Sequence, residues 1–183
     1  YMENTGFASR LVIGGDGMVT NEMDLYDENG NVTGTVTGSF DVLPILEDFI
    51  KVHPDFSYKG AKGIIALTGY NGILGYRTSD VSYGPGNTTL PEAHLWDNPN
   101  IEEDKQKAKT VAEAIKNQGW EFASHSWGHL DMQTMAEDKF IRDTDLWEAE
   151  VEPLIGETDI LIYPKGADIG SWRPYDDPNQ LEV

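Results

Sequence analysis

The chain has 183 residues, 39% of them hydrophobic, enough for one domain with a sizeable core. A net charge of -19 makes nucleic acid a poor partner, because phosphate binding relies on surplus Lys and Arg, and it would repel anionic lipid. Zero cysteines exclude disulfides, thiolate metal sites and cysteine nucleophiles together. The longest apolar runs, such as Ile64-Ile65-Ala66-Leu67, are too short to span a bilayer, so no membrane insertion is expected. The chain opens on Tyr1 with no charged-then-apolar leader, which suggests a removed leader or a fragment of something longer.

Residues 11–36 read as short strands joined by tight turns. Two alternating runs, 19–26 and 32–37, flank Asp27-Glu28-Asn29-Gly30, and Asn-Gly between such runs is a hairpin signal. A calcium loop here fails, since its first and twelfth positions would be Leu25 and Val36 instead of carboxylates. Gly14-Gly15-Asp16-Gly17 reads as a turn into the hairpin, because no Gly-Lys-Ser/Thr follows as a phosphate loop requires. From Asp41 the period changes. Val42, Leu43, Ile45, Leu46, Phe49 and Ile50 have helical spacing, with Pro44 tolerated in the first turn and His53 at the end.

Residues 63–68 form a buried-strand candidate. Residues 69–100, rich in Gly, Pro and Asn, read as a long irregular loop lining a site. Its Tyr70, Tyr76, Tyr83 and Trp96 offer aromatic surface of the kind sugars stack on, or else a small satellite core under the loop; His94 lies among them. Asn100 with Glu103 can cap a helix running to about Asn117 and closed by Gly119. Its buried stripe would be Ile101, Ala108, Val111, Ala112 and Ile115, with Glu103 and Lys107 as an exposed pair. A short strand at 120–124 follows. Thr134 with Glu137 starts the next helix, whose inner face is Phe140, Thr144, Trp147 and Val151. Pro153 and Gly156 end it, and residues 159–163 form another strand. Alternating strands and helices imply an α/β fold with parallel strands.

Chemistry concentrates in Phe122-Ala123-Ser124-His125-Ser126-Trp127-Gly128-His129, where two imidazoles follow the end of a strand. If the turn between them is helical, a spacing of four puts both rings on one face, able to grip one cation. Imidazole suits zinc and neighbouring transition metals, and with no cysteine the remaining ligands must be carboxylate or water. Ligands in parallel α/β folds gather beyond the carboxyl ends of strands, where this segment lies. A zincin does not fit, because Ser126 stands where that motif has its general base Glu.

His125-Ser126-Trp127-Gly128-His129 resembles the His-[Ser/Thr]-x-x-His motif of the polysaccharide deacetylases, the family-four carbohydrate esterases. Tyr163-Pro164-Lys165-Gly166 resembles a variant of that family's third motif, and Trp172-Arg173-Pro174-Tyr175 is a competing match to its Arg-Pro-rich form. The resemblance covers about residues 40–175. It implies a distorted (β/α) barrel, here with residues 11–38 as an N-terminal β-hairpin insertion and residues 1–183 as a single, partial domain. The implied activity is metal-dependent hydrolysis of acetyl groups from a polysaccharide, either an N-acetylglucosamine-containing glycan or acetylated xylan. The implied setting is extracellular or at the cell surface.

Carried over by position, His125 and His129 are metal ligands for Zn2+, or Co2+, Ni2+ or Mn2+. Tyr163 and the backbone N–H of Lys165, the oxyanion donor, belong to the catalytic groove. Pro164, Arg173, Tyr175 and Trp96 are the substrate contacts. The family's opening Asp-Asp pair has no counterpart. Asp176-Asp177 comes too late in the chain, and Asp16 is better read as a turn residue than as the third ligand. The chain is therefore expected to be a fragment whose first motif precedes Tyr1 and whose last motifs follow Val183. The alternative is a catalytically inactive carbohydrate-binding relative.

Overall fold

The computed structural model describes residues 7–87, 89–90 and 96–167. Its first part is an antiparallel sheet of β1 (Arg10–Ile13), β2 (Val19–Tyr26) and β3 (Val32–Gly38), in that order. The expected hairpin is thus β2 and β3, with β1 as a third strand on its far side. Asp27 folds the turn: its carboxylate accepts from the backbone N–H groups of Asn29 and Asn31, both at 2.9 Å. That is the local bonding that makes Asp a turn residue. On β2 the side chain of Asn21 is wholly buried and accepts from the N–H groups of Phe40 (3.0 Å) and Asp41 (2.8 Å), which turns the chain out of β3.

Helix α1 (Val42–Val52) begins there, capped by Asp41. Its period is as expected but its buried face is not: Leu43, Pro44 and Glu47 are inside, while Val42, Ile45 and Phe49 are exposed. Glu47 is tolerated inside because Trp120 Nε1 donates to it at 2.6 Å and Lys62 Nζ at 2.8 Å. Phe49 packs locally instead, against the rings of His53 and Phe56.

The second sheet pairs β4 (Ile64–Leu67) and β5 (Glu121–Ser124) in parallel, Leu67 standing opposite Ser124. The connection between them carries the short helix α2 (Asp80–Tyr83) and the long helix α3 (Ile101–Asn117). The stripe on α3 is the expected one, with Ile101, Ala108, Val111, Ala112 and Ile115 buried, and Lys107 pairs with Glu103 at 2.6 Å. The capping differs. Asn100 makes no side-chain cap; Asn98 accepts from the Asn100 N–H at 3.0 Å and donates to Asp104 at 2.9 Å. Helix α3 packs against β1, β2 and α5 (Glu152–Ile155), so it joins the two halves of the molecule.

The strand expected at 159–163 reduces to one parallel bridge, Ser124 to Leu161, held by Ser124 N to Ile160 O and Ile162 N to Ser124 O at 2.9 Å each. Pairing goes no further because Ser126, the next residue to face that side, is left-handed (φ 58°) and gives its N–H to the Ser124 hydroxyl at 3.3 Å. Helix α4 (Glu137–Glu150) starts later than the Thr134–Glu137 box implies: Ala136 holds the cap position, and Thr134 lies in a turn, bonded to Asp131 O. Its inner face is Asp143 and Trp147, followed by Val151, whereas Thr144 is exposed. Pro153 belongs to α5, and Gly156 ends that helix, not α4.

The long loop is better packed than its composition suggests. Tyr76 and Tyr83 are 4% and 1% exposed, so of the four aromatic residues these two are core and not sugar-facing surface. The architecture is mixed α/β. Among the described residues the two sheets are separate and do not close into a barrel. No helix among them is long and apolar enough to cross a membrane.

Candidate metal centre

Strand β5 delivers His125 at its carboxyl end, and a non-helical turn brings His129 back to it. Helical spacing, the premise from which one shared face was expected, is absent. Ser126 (φ 58°) and His129 (φ 53°) instead adopt the left-handed conformation, which reverses the chain twice in four residues. Such backbone costs a non-glycine residue of order 1–3 kcal/mol and persists only where surroundings enforce it. The two rings end up with centroids 5.0 Å apart and planes at 68°. Both side chains are half-buried.

The orientation of His125 is set by a bond from its Nδ1 to the Ile162 carbonyl oxygen at 2.7 Å. A carbonyl only accepts, so Nδ1 carries the hydrogen and the lone pair of the neutral ring lies on Nε2. This is the arrangement usual for a metal-binding imidazole, whose other nitrogen donates to a carbonyl or carboxylate. It also joins the histidine turn to the Tyr163-Pro164-Lys165-Gly166 segment, which begins one residue later. There Pro164 is buried, and Lys165 is again left-handed (φ 62°) within a single 3-10 turn, Pro164–Gly166. Left-handed residues therefore occur in both segments that meet at His125.

The turn is held from behind by helix α4. Asp143, 5% exposed, accepts from the N–H groups of Trp127 and Gly128, each at 2.7 Å. Its pKa is raised, chiefly by burial; the bonds from Gly128, Trp127 and the Ser126 hydroxyl work the other way. Glu150, two turns further along α4, accepts from the Trp127 indole at 2.6 Å. It also accepts from the Ser79 hydroxyl (2.7 Å) and the Val81 N–H (2.8 Å), tying α2 to the same turn. The Trp127 carbonyl takes the N–H groups of Gly69 and Tyr70, both at 3.0 Å. A Cβ on Gly69 would stand 2.3 Å from Trp127 Cδ1, so only glycine lets the end of β4 come this close.

The remaining expected site residues are placed less closely. Trp96 is half-buried and packs edge-on to Tyr83 at 5.1 Å; the Tyr83 hydroxyl bonds Asn71, next to Tyr70, whose ring lies against Trp127. Asp16 is an exposed turn residue accepting from the Met18 N–H at 3.0 Å. Among the described residues no third His, Asp or Glu, Asp16 included, groups with the two imidazoles. Two imidazoles with a fixed tautomer fit a divalent ion as part of its ligand set, and the carboxylate that would complete the set lies outside this group. Arg173, Tyr175, His94, Trp172 and the Asp176-Asp177 pair lie outside the described residues.

Residues 93–172 match the family model described as polysaccharide deacetylase. That stretch is similar to the polysaccharide deacetylases. The match takes in both histidines and the Tyr163–Gly166 segment and spans a little under half of the chain. The likeness is to a family of deacetylase-type hydrolases that is generally metal-dependent and acts on polysaccharides. No curated protein and no solved structure gives a significant match.

Within the matched segment, reading the sequence missed the residues that hold the turn: Asp143, Glu150 and the Ile162 carbonyl. A signal for the first two existed. Asp143, Trp147 and Glu150 sit at i, i+4 and i+7, one face of α4, so placing Trp147 inside also places both carboxylates there. For a main-chain carbonyl no residue-type signal exists.

Proposed function

We propose that this chain belongs to a metal-dependent hydrolase that removes acetyl groups from a polysaccharide, an N-acetylglucosamine-containing glycan or an acetylated xylan. His125 and His129 would hold a divalent cation, zinc or else cobalt, nickel or manganese. The observation that carries the reading is the Nδ1–H bond from His125 to Ile162 O, which leaves Nε2 as the donor beside the His129 ring. When bound, the ion supplies Lewis acidity and lowers the pKa of attacking water.

The chain's own groups supply the rest. The Lys165 backbone N–H is the donor for the developing oxyanion, and Tyr163 forms the groove wall beside His125, while Pro164, expected there, is buried in the turn between Tyr163 and Lys165. Trp96, Arg173 and Tyr175 are substrate contacts. A barrel of the family's kind would hold these segments together, and the acetylated substrate implies an extracellular or cell-surface location.

Acetate release tests this. The complete protein, supplied with zinc or cobalt, is incubated with N-acetylglucosamine oligomers, peptidoglycan and acetyl-xylan. Release from one of them is expected, and none from any would overturn the enzyme reading. A second reading, a carbohydrate-binding relative without chemistry, is favoured by the absence of a third ligand among the described residues. Retention by one of these glycans in affinity electrophoresis, with no acetate released, would establish it.

A further inference from the structure

Asp143 lies outside both quoted motifs, His125–His129 and Tyr163–Gly166, yet its carboxylate is bonded to the histidine turn at successive residues. Its carboxylate takes the two successive N–H groups of Trp127 and Gly128 at 2.7 Å each, and the Ser126 hydroxyl bonds it as well. The Ser126 oxygen in turn accepts from the Leu130 N–H at 3.2 Å. One buried carboxylate therefore reaches all three residues between the histidines directly, and the residue after them through Ser126. Consecutive N–H groups converging on one anion beside a left-handed residue make a backbone nest, a concavity suited to an anion. Here the anion is built into helix α4. The fit is close on the other side too: a Cβ on Gly128 would lie 3.0 Å from Asp143 Oδ1.

We propose that Asp143 is a positioning residue for the metal site: it sets the turn between His125 and His129, and thereby the 5.0 Å approach of the two rings, without itself touching the ion. The physical argument runs through the strained residues. Ser126 and His129 hold left-handed backbone against a steric cost, which bonds from outside the turn must help to offset. With the carboxylate in place, the buried Trp127 and Gly128 N–H groups are satisfied only in that strained arrangement. Without it, the turn gains by relaxing, and the rings separate. Asparagine in its place keeps the shape but sets an NH2 group against one of the two N–H donors, so one bond becomes a donor–donor clash.

The inference rests on the metal reading of the two histidines, and the test separates the two. Zinc affinity is measured by calorimetry on the complete folded protein, for the parent, Asp143→Asn, Ser126→Ala and Glu47→Gln. Glu47 lies in the distant Trp120–Lys62 cluster, so Glu47→Gln lowers stability without touching the turn. The expected result is zinc binding weakened about 10–100-fold by Asp143→Asn, the range seen when partners of metal ligands are removed. A smaller loss is expected in Ser126→Ala, and parent-like affinity in Glu47→Gln. The visible spectrum of bound cobalt should also change in Asp143→Asn and not in Glu47→Gln.

Parent-like zinc affinity in Asp143→Asn overturns the inference while leaving the metal reading intact, as does an equal loss in Glu47→Gln. If Asp143→Asn does not fold, Ser126→Ala decides, and unchanged affinity there overturns it. A parent protein that binds no zinc removes the metal reading itself, and this inference with it.

Discussion

The Nδ1 nitrogen of His125 donates to the carbonyl oxygen of Ile162 across 2.7 Å, binding the end of β5 to the segment that carries Tyr163 and Lys165. The contact fixes the ring by its backbone-facing edge and leaves the other edge for a ligand. His125→Ala and His129→Ala should therefore each reduce bound metal in the complete protein to background with the fold retained. Neither imidazole is part of the buried core. Elemental analysis of the purified variants, alongside far-ultraviolet circular dichroism, checks this; full metal content in both would sink the assignment.

Trp127 should matter to stability before it matters to turnover. It is 7% exposed, bonded through its N–H, its carbonyl and its indole, and closely covered by Gly69. Trp127→Ala should cost about 3–5 kcal/mol. Trp127→Phe, which keeps much of the ring but loses the bond to the Glu150 carboxylate, should cost about 1.5–3 kcal/mol for that bond. Urea unfolding measures both. A Trp127→Ala protein as stable as the parent but without turnover would reverse the order.

Alkaline pH should destabilise the protein through Tyr76. This hydroxyl is buried and donates to Leu11 O at 2.8 Å, and burial pushes its pKa up to about 12. The unfolded tyrosine titrates near 10, so between about pH 10 and 12 the unfolded chain has released a proton that the folded one still holds. Stability attributable to Tyr76 is fully present below pH of about 10 and is lost as pH rises through about 12. Melting temperatures across that interval should fall more steeply for the parent than for Tyr76→Phe. Parallel curves would show that Tyr76 does not carry the effect.

Glu47 should be among the more costly charged residues to truncate. Its carboxylate is shared by Lys62 and the Trp120 indole, and both it and Lys62 are largely withdrawn from water. Glu47→Ala leaves that ammonium group without its anion, a change that costs about 3–5 kcal/mol in buried pairs. By contrast, Lys107→Ala, which breaks an exposed pair on α3, should cost no more than about 0.5 kcal/mol. Chemical denaturation of the two variants side by side gives the comparison, and similar losses would contradict it.

What could be read from residues alone follows the strength of the periodic signal. Helix α3 was legible because its five buried residues recur at 3.6 and the polar residues between them are charged. Helix α1 was legible as a helix but not in its facing, since apolar residues surround it and burial extended to Glu47, which Lys62 and Trp120, 15 and 73 residues away, make tolerable. The tyrosines of the long loop carry no period, so nothing separated the buried Tyr76 and Tyr83 from the partly exposed Tyr70. Of the candidate site, the two histidines stood out by residue type. The turn that joins them did not, because left-handed Ser126 and His129 violate local preference and depend on Asp143, fourteen residues after His129.

The span of these contacts sets an order of assembly. The three-stranded sheet pairs near neighbours in the chain and can close as soon as it is made. The histidine turn depends on Leu67 O accepting the Trp147 indole, 80 residues away, and on Glu150 reaching back to Ser79 and Val81. During synthesis its geometry therefore cannot be set until α4 has emerged, so the histidine turn forms after the three-stranded sheet. Amide protons of β2 and β3 should accordingly gain protection from exchange, in a refolding pulse, before those of Trp127 and Gly128.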